Sequence, residues 1–365
     1  MAIIFSDDNA IDYHYIKNFK LNKEFIVTHD LNEFENSSES IKISITRGRT
    51  FGAIVNFSVN QEDIFIDYIN KLSNISTIVF TFDGELHEFH WDIWNQCHHD
   101  NVYWVISGMV NDDPIQSNII TWPYFFQSLM FLYNNNLNVK LAELTYTIKP
   151  KMFDALLGRP RKHRTFIYNA IKENQLDDKF ILSYQLSDAG NDFKKYWDDF
   201  IWEEGFSDIE EERVQGTHHY LKYNNVNAAI SHIIPIQIYN ESAYSIVAET
   251  GYKNSYTFFT EKTAKPLIAK RLFVMFSGYK FLENLRSLGF QTFSDVIDES
   301  YDTIEDDESR WSAAFEQVKF LCGADQQTIY NKISHILEHN HNHILKTNWH
   351  DYACNKIQNK INLLK

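Results

Sequence analysis

The sequence predicts an α/β protein with two domains, each built on a parallel sheet, followed by helices at the C-terminus. Short runs of β-branched and aromatic residues, typical of buried strands, alternate with longer amphipathic stretches, typical of helices. This alternation favours parallel sheets whose strands are joined by crossover helices. The chain has 365 residues, of which 44% are hydrophobic and 23% charged, a globular composition long enough for two domains.

The second domain is predicted to begin near residue 150, where the run Ile148-Lys149-Pro150-Lys151 precedes a second series of strand–helix units. The predicted domain limits are 1–148 and 149–335, with a helical extension at 336–365. The predicted strands are residues 2–5, 42–46, 77–82, 102–107, 180–184, 244–248 and 272–276. The predicted helices are residues 61–72, 166–174, 279–287, 305–321 and 325–345, with a short helix in the tail.

The net charge indicates which partners are expected, and the cysteine content indicates the cellular compartment. Forty-nine acidic and 34 basic residues give a formal charge of −15, a poor match to a phosphate backbone, so no nucleic-acid partner is expected. Cys97, Cys322 and Cys354 are far apart and form no CxxC pair, which is typical of inert thiols in a reducing compartment. The acidic N-terminus lacks the features of a signal peptide, and no run approaches the ~18 apolar residues of a membrane span. We therefore expect a cytoplasmic protein, in the host cytoplasm if the chain is viral.

The segment 247–278 carries the clearest local pattern. It is predicted to form a strand that ends at Glu249, a polar loop, a helix from about Thr260, and a further strand. Thr260 is a good N-cap residue, Glu261 lies in the first turn, and Pro266 lies on an early turn of the helix. In open α/β sheets, ligands bind beyond the carboxyl ends of the strands, next to helix N-termini.

Four charged side chains of this segment are candidates for ligand binding. Lys262 and Lys265 are three residues apart and therefore share a helix face that can meet a diphosphate. Glu249 and Glu261 can accept hydrogen bonds from ribose or sugar hydroxyls. The alternative, in which the acids cap the helix and the lysines form a solvated pair, stays open at this point.

A second candidate segment is Leu157-Gly-Arg-Pro-Arg-Lys-His-Arg164, which places five basic or potentially basic side chains in six positions before an amphipathic helix. This is a local reversal of charge in an acidic protein. Arginine forms bidentate, charge-assisted hydrogen bonds with phosphate groups. A processing site and a solvated basic turn are the alternatives, and so short a patch does not favour nucleic-acid binding.

The segment from Glu249 to Phe276 resembles the donor-binding motif of the α-1,3-fucosyltransferase family. In that family a strand with an acidic residue, within Phe-Glu-Asn-Ser, precedes a helix that starts with Tyr-x-Thr-Glu-Lys. Glu249 stands at the place of the acidic residue, Thr260, Glu261 and Lys262 match Thr-Glu-Lys, and Thr250 replaces the asparagine. The chain also resembles glycosyltransferase-like proteins of viruses and bacteria over residues 149–158, 260–266 and 288–293.

This resemblance implies a GT-B-like architecture, in which two Rossmann-like domains face a cleft. It implies an inverting sugar transfer from a nucleotide-sugar, with a GDP-sugar favoured, to a saccharide or another hydroxyl acceptor. Arg161 or Arg164 would then contact the donor diphosphate. No Asp-x-Asp occurs in the chain, so basic side chains and helix N-termini, rather than a metal ion, are expected to neutralise the leaving group. No cofactor is expected beyond the nucleotide-sugar co-substrate.

The same resemblance makes Glu85 the candidate general base, because the family has a Gly-Glu pair at a comparable strand end. Residues 78–85 are predicted to form a buried strand that runs into Asp83-Gly84-Glu85. Asp83, His87 and His90 are alternative bases nearby. Asp-Gly is also an ordinary turn signal, so a purely structural turn remains open.

The C-terminal region contains His335, His339 and His343, spaced by four residues and therefore on one helix face. Two such histidines can ligate zinc, but a catalytic site needs a third converging ligand, so a polar helix face is the alternative. For the whole chain, the competing class is a non-catalytic sugar- or nucleotide-binding or viral structural protein that retains the fold. A modifier of hydroxylated DNA bases is a further possibility that the net charge disfavours.

Overall fold

The chain forms two compact units in the computed structural model. The N-terminal unit comprises Met1–Tyr124 and Asn348–Lys365, and the central unit comprises Phe125–Thr347. The structure describes residues 2–6, 24–47, 62–82, 96, 99–111, 118–132, 141–158, 160–184, 206–208, 214–215, 218–223, 226–229 and 233–362. The domain limits predicted from the sequence stay a prediction.

The described strands and helices are numbered in chain order. The strands are β1 Ala2–Ser6, β2 Phe25–Thr28, β3 Ile41–Arg47, β4 Thr77–Phe82, β5 Val102–Ile106, β6 Gly108–Val110, β7 Ile119–Thr121, β8 Lys151–Leu156, β9 Phe180–Ser183, β10 Phe206–Asp208, β11 Val214–Gln215, β12 His218–Tyr223, β13 Val226–Ala229, β14 Ser242–Ala248, β15 Tyr256–Phe258 and β16 Phe273–Phe276. The helices are α1 Leu31–Asn36, α2 Glu62–Ser73, α3 Tyr124–Leu132, α4 Lys162–Glu173, α5 Ile236–Glu241, α6 Glu261–Ile268, α7 Phe281–Ser287, α8 Asp307–Gly323, α9 Gln326–Lys346 and α10 Trp349–Asn362.

The N-terminal unit contains a parallel sheet in the order β2-β1-β3-β4-β5-β7. Ile4 on β1 is in register with Val27 on one side and Ile43 on the other. Helix α10 packs against this sheet, since its residues Ala353 and Ile357 belong to the same buried cluster as Ile4 and Ile43. Helix α10 therefore forms part of the core of the N-terminal unit.

The central unit contains a parallel sheet in the order β16-β14-β8-β9. All of its strand pairs are parallel. The chain leaves β8 for β9 on one side and then returns to β14 on the other side of β8. The direction of strand addition therefore reverses between β8 and β14. Strands β10 to β13 form a separate antiparallel sheet.

The predicted α/β class with parallel sheets is confirmed, and each strand predicted from the sequence is present with small differences at its ends. The sequence pattern does not predict strand β8, although this strand is central to the second sheet. The apolar run of β8 is interrupted by Asp154, which is 3% exposed and pairs with Arg271. A charged residue at this position conceals the pattern of a buried strand. Among the described residues, no helix is both long and apolar enough to cross a membrane.

Candidate functional site

The candidate site lies at the carboxyl edge of the central sheet, between β8 and β14. Helix α4 begins shortly after β8 ends, and α6 begins after the loop that follows β14. Because the two strands are adjacent and parallel, both helix N-termini belong to the same edge of the sheet. In open α/β sheets, the point where the strand order reverses is where a crevice forms and ligands bind.

Three basic side chains from the start of α4 reach the end of β14. The consecutive carbonyl groups of residues 248–250 accept their hydrogen bonds. Arg164 Nη2 donates to the first carbonyl at 3.3 Å, His163 Nε2 to the second at 2.8 Å, and Arg161 Nη1 to the third at 2.5 Å. These residues are more than 80 positions apart along the chain, and the pairing of β8 with β14 brings them together.

The first turn of α4 is basic, which is unusual for a helix start. Lys162, His163 and Arg164 occupy it, no acidic residue is present, and the side chain of the N-cap Arg161 makes no capping hydrogen bond. The first N–H groups of a helix carry a partial positive charge, so cations there are unfavourable and an anion is favourable. The arrangement is typical of a helix N-terminus that receives an anion.

Lys262 approaches the same strand end from the start of α6. Thr260 is the N-cap of α6 and accepts a hydrogen bond from the backbone N–H of Lys262, as the sequence predicted. The Lys262 ammonium donates to Thr250 Oγ1 at 3.1 Å and forms an ion pair with Glu261 at 2.5 Å. Thr250 is thus contacted both by Arg161 from α4 and by Lys262 from α6.

Glu249 lies in the interior at the end of β14, with 0% exposure. Its carboxylate accepts hydrogen bonds from the backbone N–H of Thr250 at 3.0 Å and of Thr260 at 3.2 Å. It also accepts from the hydroxyls of Thr260 at 2.6 Å and of Thr263 at 2.5 Å. Glu249 therefore fixes the start of α6 against the strand. A hydrogen bond from a ligand hydroxyl would have to replace one of these four, and the predicted ligand role of Glu249 stays a prediction.

Two side chains at this edge, His163 and Lys265, have lowered pKa values. Burial lowers the pKa of His163 to about 3, and the charge of Arg164 acts in the same direction. His163 is therefore neutral at pH 7, and because its Nε2 donates a proton to a carbonyl, its Nδ1 is an acceptor. No donor to that Nδ1 is present among the described residues. Burial also lowers the pKa of the half-buried Lys265 to about 8, and the neighbouring charge of Lys262 acts in the same direction.

The amino edge of the sheet holds a buried ion pair that the sequence did not predict. Arg271 Nη2 lies 2.6 Å from Asp154 Oδ1, and both side chains are at most 5% exposed. Ser242 and Ser245 also donate to Asp154, at 3.1 and 2.9 Å. The remaining Arg271 donors reach nearby oxygens, including the carbonyl of Tyr239 at 2.9 Å. A charged residue inside an otherwise apolar strand was the signal that could have revealed this pair.

The C-terminal histidines lie on α9 and contact the loop after α7. His339 Nε2 donates to the carbonyl of Gly289 at 2.9 Å, and His343 Nε2 donates to that of Leu288 at 2.7 Å. His335 is exposed. No group of three or more potential metal ligands occurs among the residues that the structure describes. His339 and His343 therefore tie α9 to the α7 loop.

The candidate base Glu85 lies outside the described residues, as do the alternatives Asp83, His87 and His90. Its role as general base stays a prediction. Of the predicted site, the structure brings together Arg161, Arg164, Glu249, Glu261 and Lys262 at one edge of the central sheet, with Lys265 on the next turn of α6.

Comparisons with known proteins add no family. No family model, no curated protein and no solved structure matches the chain.

Proposed function

We propose that this chain is a metal-independent glycosyltransferase whose nucleotide-sugar donor binds at the carboxyl edge of the central sheet. The observation that supports this proposal is the convergence of Arg161, Arg164 and Lys262 on residues 248–250, where the strand order reverses. A diphosphate is the group that best matches several cations beside two helix N-termini.

The cations would have different tasks. Arg161 and Lys262 are half-buried and would bind the diphosphate oxygens directly. Arg164 is 5% exposed and would hold the end of β14 in place through its hydrogen bond to the carbonyl of Ala248. It would also add positive charge to the site. Preorganised positive charge of this kind stabilises the negative charge that develops on a leaving nucleoside diphosphate without a metal ion. Glu249 would act indirectly, because it holds the N-terminus of α6 in place.

The reaction follows from these roles. An acceptor hydroxyl, from a saccharide or another small acceptor, loses its proton to a base as its oxygen bonds to the anomeric carbon, and the bond to the diphosphate breaks. Direct displacement inverts the configuration at that carbon. We assign the base to Glu85, the acceptor to residues 1–148, and a GT-B-like arrangement to the two domains, on the resemblance to the fucosyltransferase family. The same resemblance favours a GDP-sugar.

The donor site is tested by thermal shift with GDP, UDP, CDP, ADP and their sugars. A ligand at a hundredfold excess over its Kd stabilises the folded state by about 2.7 kcal/mol, which raises the melting temperature measurably. We expect one nucleotide to stabilise the wild type, and Arg161→Ala and Lys262→Ala to lose most of that shift. Lys172→Ala removes an exposed lysine at the far end of α4 and is the matched control. The proposal fails if no nucleotide stabilises the protein, or if the control loses the shift equally.

Turnover is tested separately. With the stabilising nucleotide-sugar, we expect release of the nucleoside diphosphate in the presence of an acceptor, and Glu85→Gln should abolish release while keeping the thermal shift. Binding without any release, under varied acceptors, would favour the alternative of a non-catalytic nucleotide- or sugar-binding protein.

A further inference from the structure

A cavity lies at the opposite edge of the central sheet, where the chain enters β8, β14 and β16. Its volume is about 60 Å³, several times what a single water molecule needs. Most of its lining is aromatic or aliphatic, including Tyr146, Ile148, Tyr239, Tyr244, Tyr330 and Leu337. It is separate from the proposed donor site, which lies at the carboxyl ends of the same strands.

The rim of this cavity is an exposed apolar surface. Tyr146, Ile148 and Tyr330 are 42%, 67% and 37% exposed, and they are three of the seven exposed large hydrophobic side chains in the described part of the chain. Exposed apolar groups that cluster around a concave site mark a binding surface more often than scattered ones do. The three groups are therefore placed to cover the apolar part of a ligand.

A buried lysine lines the cavity. Lys149 is 7% exposed, and its ammonium donates to Thr145 Oγ1 at 2.5 Å but forms no ion pair with any described carboxylate. The neighbouring Arg271 differs, because Asp154 balances its charge. An ammonium has three donors, so Lys149 keeps two for a further acceptor. A buried charge without a partner is costly, so an anion in this cavity would be stabilised.

The position of Lys149 is fixed by the protein. The side chain of Gln326 at the start of α9 accepts from the Lys149 backbone N–H at 2.8 Å and donates to its carbonyl at 3.0 Å. These two bonds hold the lysine at the cavity before any ligand arrives. Such preorganisation lowers the entropic cost of binding.

We infer that this cavity binds a small organic carboxylate, whose charged group pairs with Lys149 and whose apolar body contacts the tyrosine-rich wall. A mostly apolar pocket with a few fixed polar groups is the usual form of a small-molecule site. The apolar wall selects an organic acid over inorganic phosphate, which has no apolar part to bury.

The inference is tested by calorimetric titration of the full chain with acetate, propanoate and benzoate. Benzamide serves as the neutral isostere of benzoate, and inorganic phosphate as the anion without an apolar body. We expect benzoate to bind at least about tenfold more tightly than benzamide, since the charge-assisted bond is lost in the amide. Equal binding of the two, tighter binding of phosphate, or no binding of any carboxylate would overturn the inference.

Two variants assign the site. Lys149→Met keeps the length of the side chain without its charge, and we expect it to weaken benzoate binding at least about tenfold. Lys151→Met is the matched control, because Lys151 contacts the carbonyl of Asp178 outside the cavity, and it should change the affinity less than twofold. Wild-type affinity in Lys149→Met would contradict the inference. No nucleotide enters these experiments, so their outcome is independent of the proposed transferase activity.

Discussion

The two edges of the central sheet each contain a buried carboxylate, but the carboxylates have different partners. At the amino edge, Asp154 pairs with the guanidinium of Arg271. At the carboxyl edge, Glu249 accepts only from hydroxyls and backbone N–H groups, and it forms no ion pair with the described residues. The charge of Arg271 is therefore neutralised inside the protein by Asp154. At the carboxyl edge the buried acid instead stabilises the start of α6. There Arg161 and Arg164 donate to carbonyls of residues 248–250, and Lys262 pairs with Glu261.

The largest effect should come from breaking the ion pair at the amino edge. We expect Arg271→Leu to lower the free energy of unfolding by about 3–5 kcal/mol, because Asp154 is left buried without its cation. Urea unfolding measures the loss. Arg161→Leu at the other edge is the matched comparison, since Arg161 is only half-buried, and it should cost less than about 1 kcal/mol. The comparison of the two edges is wrong if both substitutions cost the same.

A double variant sharpens this result. Replacing both Arg271 and Asp154 by leucine removes the two charges together, so the double variant should be more stable than Arg271→Leu alone. If the loss in the free energy of unfolding of the double variant equals the sum of the losses of the two single variants, the residues do not act as a pair.

The next effect concerns the acid at the carboxyl edge. Glu249→Gln replaces one acceptor oxygen by an amide that itself donates, so at least one of its four donors loses its partner. We expect a loss of about 2–3 kcal/mol in urea unfolding, together with weaker nucleotide binding because the start of α6 is no longer fixed. Thr263→Val removes only one donor and should cost about 1 kcal/mol. If Glu249→Gln leaves the free energy of unfolding unchanged, the carboxylate does not stabilise this helix start.

Much of this edge could be predicted from the sequence, because its signals are local. The N-cap Thr260, the strand at 272–276 and the acid at the end of β14 all follow from short patterns. The contact of Arg161 with Thr250 could not be predicted, because it depends on β8 lying beside β14. Strand β8 itself was hidden by Asp154, whose partner Arg271 is more than 100 residues away. Pairings of this kind are set by tertiary packing rather than by local preference.

In the sequence His163 is part of a basic run, and nothing in its neighbours indicates a buried position. Most residues around it in the sequence are cationic and polar, which indicates a solvated turn. The structure places it at 0% exposure, with its ring 4.9 Å from that of Tyr252. The rings that pack on it come from the loop after β14 and from α8, so the signal is again distant in the sequence.

The next effect is the dependence of the free energy of unfolding on acid pH, through His163. The pKa of His163 is about 3 in the folded protein and 6.5 when unperturbed, so below pH 6.5 the unfolded chain gains a proton that the folded one does not. The contribution of His163 to stability is therefore complete above pH 6.5 and is lost as the pH falls toward 3. At 1.36 kcal/mol per pH unit, the loss reaches about 2 kcal/mol at pH 5.

His163→Gln isolates this contribution, since the glutamine amide keeps a donor for the carbonyl of Glu249 but does not titrate. Urea unfolding of both proteins at pH 7 and pH 5 gives the difference, in which the other titrating groups cancel. An equal acid loss in the variant and in the wild type would mean that His163 is not the buried base that the geometry indicates.

The smallest effect on the free energy of unfolding is expected for the substitution of Lys149. It is also the only substitution expected to stabilise the protein. Because this buried ammonium lacks a carboxylate partner among the described residues, Lys149→Met should leave the free energy of unfolding unchanged or raise it by up to about 1 kcal/mol. Burial also lowers the pKa of Lys149, so the folded wild type loses this proton before the unfolded chain does. The advantage of the variant should therefore shrink as the pH rises toward 10.5, the ordinary pKa of lysine. A loss of more than about 1 kcal/mol at pH 7 would place Lys149 with Arg271, as a structural cation, and would remove the reason to expect an anion at the amino edge.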